Sequence, residues 1–276
     1  MEIFSPLYQL AGCLYEPMFM RRSALALALL TVAASSSGVM VVNRRMAFFP
    51  DAVGHSVFAG VAAALMLSLN VQLTVLALSV LIGLTVTFLA RHSHLASDTV
   101  IGLVFSGAVA LGLALVSRQP QAAAGLSRFF LGDVLTLDDA QLTALAGLDV
   151  LTIVFLGLMT NRLTLACVVP RSSSDRWGEY LFGAYLAVVV AVGVQAVGVL
   201  LVTALLVAPA ATGRVVSVSF RGMFWAAMAA GLVAGQAGLW ASFQPAVNTS
   251  AGATVVLVNV LLFCLAALYR KIRPVR

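Results

Sequence analysis

The chain has 276 residues, of which 62% are hydrophobic and 9% charged, against roughly 25% charged in an ordinary soluble domain. With a mean hydropathy of +1.05, that composition excludes a water-soluble enzyme and places the chain in a lipid bilayer. The net charge of +6 does not point to nucleic acid, because the basic residues form short clusters between apolar stretches, where loop charges set topology.

In chain order, apolar stretches near the roughly 20 residues of a helical span occupy 23–43, 52–69, 71–90, 99–117, 141–160, 222–243 and 251–269. The first begins at "MRRSALALALLTVAASSS", which also has the shape of a signal peptide. Some twenty residues precede the arginines and the run is long enough to span, so it is expected to be retained. The stretch 180–207 would be about 42 Å long as one helix, too long for a hydrocarbon core of about 30 Å. It contains "VGVQAVG" and is followed by Pro209, so two helices, 180–196 and 198–213, are expected. The expected fold is all-α: a polytopic membrane bundle of about eight to nine transmembrane helices, one of them short or broken. No long Pro- or Ser-rich linker interrupts it, so residues 1–276 read as a single transmembrane domain.

Charge supports the broken helix. With the break and a cytoplasmic C-terminus, twelve of the sixteen basic residues lie in the cytoplasm and only Arg21, Arg22, Arg118 and Arg128 lie outside. Without it, Arg214 and Arg221 would stand opposite Arg162, Arg171 and Arg176, and the asymmetry largely disappears. Cys13, Cys167 and Cys264 are far apart with no CxxC spacing, so they indicate neither a disulfide framework nor a thiolate metal site.

Ionisable groups inside a bilayer need partners and usually mark a pathway. In "MAFFPDAVGHSVFAGVAAALML", residues 46 to 67, Asp51 and His55 are the only such groups. Four residues apart on a helix, they share a face, and one carboxylate oxygen with one imidazole nitrogen suits Zn²⁺, Mn²⁺ or Fe²⁺ alike. The bland alternative is that Asp51, after Pro50, caps the helix start while His55 bonds a neighbouring carbonyl. Elsewhere, His92 and His94 read as a solvated loop before a cytoplasmic exit site. Asp98 reads as an N-cap. Gln195 and Asn259 line a path or bond between helices. Asp133, Asp138, Asp139 and Asp149 make the long outer segment acidic, which a solvated loop explains as well as cation attraction does.

"RRMAFFPDAVGHSVFAGVA" resembles the signature segment of permease subunits of metal-chelate ABC importers, approximately RRMxxxGDAxxHxxLPGxA. "SDTVIGLVFSGAVALGL" (97–113), "FFLGDVLTL" (129–137), "VQAVGVLLVTALLVAPAATGR" (194–214) and "NTSAGATVVLV" (248–258) are similar to further segments of that family, in its order. The likeness runs from about residue 19 to 269. It implies a bacterial cytoplasmic (inner) membrane permease for zinc or manganese, less readily iron. That permease is homodimeric or paired with a paralogue, receives the ion from an extracytoplasmic metal-binding protein and is seated on cytoplasmic ATPase subunits. The resemblance makes Asp51 and His55 the ligands in the translocation path. It makes Pro209, Ala210, Ala211, Thr212 and Arg214, with the following "VVSVSFRG", the ATPase-coupling segment. The transported ion is cargo, and no permanently bound cofactor is implied. Two departures stand out: the family's LPG is Phe58, Ala59, Gly60 here, and "VVPRSSSDRWGEY" replaces its D-P-E-x-A-R-x-x-G stretch.

One feature supports that division of labour without the resemblance. P-loop ATP hydrolysis needs a lysine within G-x-x-x-x-G-K-[ST], and the single lysine, Lys271, precedes Ile272. The chain is therefore expected to be a permease and not an enzyme, with ATP hydrolysed by a partner. A proton-coupled secondary metal carrier is the alternative, since midplane carboxylates serve such carriers too. An intramembrane enzyme fits poorly, because no nucleophile, HExxH or second acidic cluster accompanies the pair.

Overall fold

The computed structural model describes residues 18–118, 137–168, 176–244 and 249–272. Among these are nine helices, all long and apolar enough to cross a membrane. They are α1 (Met18–Asn43), α2 (Phe49–Leu67), α3 (Val71–His92), α4 (Ser97–Val116), α5 (Asp139–Val168), α6 (Arg176–Val197), α7 (Val199–Val216), α8 (Phe220–Ser242) and α9 (Ala251–Ile272). Every stretch expected from the sequence is a helix. The divided one breaks at Gly198, whose φ of 89° is open to glycine and strained for any residue with a Cβ.

The helices gather into two compact units: Met1–Val39, Gly132–Ile153 and Leu200–Arg276 form the first, Met40–Leu131 and Val154–Val199 the second. In the first, small residues let backbones approach closely. Gly38 abuts the Leu206 carbonyl, and a Cβ on Gly238 would meet Val255 Cα at 2.5 Å. Pro209 lies inside α7. It has no N–H to give the Leu205 carbonyl one turn back, and the Ser35 hydroxyl of α1 donates to that carbonyl at 3.4 Å. The helix thus runs through Pro209, as the expected span 198–213 requires. The helix continues to Val216, where Arg270 Nη1 donates to the Arg214 and Val215 carbonyls at 3.2 and 2.9 Å.

The same unit decides the parity of the broken helix. Gly231 of α8 packs against Ser35 and Thr31 of α1, Gly235 against Thr31 and Leu27, and Gln236 Nε2 donates to Ala24 O at 3.0 Å. As α8 advances, its partners recede along α1, so the two helices are antiparallel. That requires an even number of crossings between them, which α2 to α7 supply only if α6 and α7 count as two. At the same end as the Gln236–Ala24 bond, Arg22 pairs with Asp139 at 3.4 Å, so α1 and α5 start on one side.

In the second unit α3 is the central surface for α2 and α6. Gly60 meets Val75, Gly83 meets Ala187 and Phe49, and Gly183 meets Thr87. Arg91, closing α3, pairs with Glu179 of α6 at 2.6 Å with both side chains half-buried. The Arg44 guanidinium lies over the Phe182 ring, 5.1 Å from its centroid.

Candidate metal centre

The α2 helix begins at Phe49 with Pro50 in its first turn, where a missing N–H costs nothing. Its N-cap is Phe48, with no side-chain cap bond. Asp51 is thus inside the first turn and does not occupy the cap position.

Depth can be read along α3. Gly60 packs on Val75, so His55, five residues earlier on an antiparallel helix, lies level with about Val80. From there to Arg91 is eleven residues, about 16 Å at 1.5 Å each. His55 therefore lies near the middle of a hydrocarbon core of about 30 Å, with the Arg91–Glu179 pair marking one end.

His55 is held on three sides. Its Nδ1 is 2.9 Å from the Asp51 carbonyl oxygen. A carbonyl only accepts, so Nδ1 is protonated and donates to it, which makes Nε2 the nitrogen a cation would use. The ring meets Phe58 and Phe105 edge-on, with centroids at 5.7 and 4.9 Å. Behind it, Gly54 presses on Val199 and Val194 of the helix break, where a Cβ would come within 3.0 Å of Val199 Cγ1. Fixing one imidazole nitrogen on a carbonyl is how proteins orient the other toward a cation. Phe58, Ala59 and Gly60 continue the helix without interruption.

Among the described residues no three His, Cys, Asp or Glu side chains gather to hold a metal ion. His92 is exposed on α3, donating Nδ1–H to Phe88 O at 2.8 Å with its ring on Phe88, and His94 is exposed beyond it. Asn259 Nδ2 donates within its own helix, to Val255 O at 3.0 Å. Asp98 is in the first turn of α4 and not its cap, which is Ala96. There its charge still favours the helix dipole.

A model of the ABC 3 transport family matches residues 16–270. The chain belongs to the ABC 3 transport family. This ABC 3 permease is 26% identical over 255 residues to the manganese import system permease protein ScaB of Streptococcus gordonii, covering 91% of each chain. It is 27% identical over 263 residues to the chelated iron transport system membrane protein YfeD of Yersinia pestis, covering 94% of this chain and 88% of that one. Its fold is that of the solved PsaBC from Streptococcus pneumoniae in complex with Fab: TM-score 0.76, 22% identity, 96% and 98% of the two chains covered.

The segment matched to ATPase coupling is the last turns of α7 and the turn after it. Pro209, Ala210 and Thr212 face inward, and Thr212 Oγ1 donates to Ala208 O at 2.9 Å. Ala211 is half-buried and Arg214 exposed. Val216 and Val218, with 44% and 77% exposure, present apolar surface beside the basic residues. Ser219 then caps α8, accepting from Gly222 N at 3.1 Å. "FFLGDVLTL" up to residue 136 and residues 169–175, part of the stretch that replaces the family's D-P-E-x-A-R-x-x-G, lie outside the described residues.

Sequence reasoning misplaced Asp149. Grouped with the outer acidic segment, it is instead on the buried face of α5 with Leu145 and Thr152, at 8% exposure. Its position inside the apolar run 141–160 was the available signal. Asp138 and Asp139 are exposed, as a solvated segment requires.

Proposed function

We propose that this permease acts as one membrane-spanning domain of an ABC importer for a divalent transition metal ion, manganese or zinc before iron, with Asp51 and His55 as ligands along the path. The observation that carries the reading is the His55 ring: near mid-depth, its Nδ1 proton is committed to the Asp51 carbonyl, and Asp51 itself stands one turn back on the same helix face. A divalent cation losing its water there gains an anionic oxygen and a neutral nitrogen, which offsets the cost of burying both groups.

Among the described residues, one chain supplies two such ligands, fewer than a transition ion takes. The α4 helix, whose Phe105 touches His55, exposes Gly102, Ser106, Ala110 and Ala114 at four-residue spacing. Such a face suits close approach of another membrane helix, which supports a second permease copy or paralogue beside the pair. The tip at Val216 to Arg221 supports docking on cytoplasmic ATPase subunits. An extracytoplasmic metal-binding protein would deliver the ion, across a bacterial inner membrane.

The deciding experiment is uptake of Mn²⁺, Zn²⁺ and Fe²⁺ by proteoliposomes holding the permease with and without its ATPase. Concentrative uptake that requires ATP and the ATPase, and that Asp51→Asn and His55→Gln abolish, supports the reading. Uptake by the permease alone under an imposed pH gradient transfers the case to a proton-coupled carrier.

A further inference from the structure

Asp149 is a membrane-depth carboxyl that the metal path does not use. It lies ten residues into α5, about 15 Å along the axis from the Arg22–Asp139 pair at the helix start. It is 8% exposed, and its Oδ1 is buried with no hydrogen-bond partner among the described residues. The carboxyl faces the backbone of α1 at Ala33. That turn of α1 is itself polar, because Ser36 and Ser37 both donate to the Ala33 carbonyl, at 3.1 and 2.6 Å.

No counter-ion stands at this depth among the described residues of the unit. On α1 the titratable groups are Arg21 and Arg22, at least eleven residues before Ala33 and so about 16 Å away along the axis. Arg214 of α7 and Arg221 of α8 stand at helix ends, and α9 contributes Cys264 and the basic end Tyr269 to Lys271.

A bare carboxylate in such a place is costly unless a cation or a proton neutralises it. We propose that Asp149 is a proton-binding site within the membrane, separate from the Asp51–His55 pair and carried as the neutral acid at the α1–α5 contact. Raising the pH then ionises a buried group against α1 and loosens that contact. The site does not rest on the metal reading.

The test is labelling of the full-length permease in lipid nanodiscs with dicyclohexylcarbodiimide. This apolar reagent takes up a carboxylic acid but not a carboxylate. The O–H adds across one C=N bond to give an O-acylisourea, which rearranges to an N-acylurea with nothing lost. At pH 7, mass spectrometry should find Asp149 labelled at least about tenfold more than Asp138 and Asp139, the difference shrinking as pH rises. The near-isosteric Asp149→Asn supplies a second readout. A proton held more tightly in the folded state contributes stability that is lost as pH rises through the folded-state titration. Wild type should therefore lose thermal stability with rising pH where Asp149→Asn does not. Equal labelling of all three aspartates, or parallel stability profiles for the two proteins, overturns the proposal. If Asp149→Asn does not fold, the wild-type labelling decides alone.

Discussion

Replacing Gly213 by alanine probes the contact between α7 and α8 just before the exposed Arg214. A Cβ there would lie 2.5 Å from the Met223 carbonyl oxygen, 3.0 Å from Ala227 N and 3.2 Å from Ala227 Cβ. Carbon and carbonyl oxygen settle at about 3.3 Å or more, so the helices must part by about 0.8 Å. Both nearest atoms are backbone, so no side chain can turn aside. Overpacking of this kind costs about 1–3 kcal/mol. Against it stands the helix propensity gained from Gly to Ala, about 1 kcal/mol. Gly157 of α5 has nothing within 4 Å of its would-be Cβ, so Gly157→Ala keeps the gain without the clash. The propensity term is common to both variants, and their stabilities should differ by about 1–3 kcal/mol, with Gly213→Ala lower. Unfolding of each purified permease in one detergent, followed by circular dichroism, measures that difference. Equal stabilities would refute the close approach of α7 and α8, and with it the account of how the turn proposed to dock on the ATPase is positioned.

Asp51→Asn and His55→Gln should each abolish metal uptake while leaving assembly and basal ATPase activity of the complex near wild type; wild-type uptake by Asp51→Asn would make the pair structural. In a cysteine-free background, cysteines at Ser93 and Ser217, four crossings apart, should both resist a membrane-impermeant maleimide in whole cells, and one at Ser68 should react. Labelling of Ser217 but not Ser93 would remove the count of α6 and α7 as two crossings. Gly198→Ala should cost about 1–3 kcal/mol, since φ of 89° is strained for alanine. An unchanged melting temperature would show that the break does not depend on that conformation. Arg270→Ala frees the last carbonyls of α7 and should raise ATP hydrolysed per ion moved, with little loss of stability because the group is exposed. An unchanged ratio would make Arg270 an ordinary helix-end cation.

The sequence by itself determined what depends on local composition. Spans are legible because each must hide its backbone within about 20 apolar residues. The break near Gly198 is legible because a largely apolar stretch of 28 residues, 180–207, exceeds one crossing and glycine marks the interruption. Asp51 and His55 are legible because ionisable groups in such runs are rare. Tertiary structure alone decided the rest, because it depends on which helix lies beside which. The antiparallel pairing of α1 and α8 fixed the crossing count that loop charges only favoured. The span 198–213 is legible with Pro209 inside it, but only the packing shows that Ser35, 174 positions before Pro209 in the chain, supplies the donor that the Leu205 carbonyl lacks. Asp149 looks like one more outer acidic residue until α5 turns it against the Ala33 backbone. Likewise, His55 gains a defined tautomer only when the helix brings its Nδ1 to the Asp51 carbonyl and Phe105 of α4 closes on the ring. Spacing along one strip of sequence shows which groups share a face; packing between distant strips decides what that face meets.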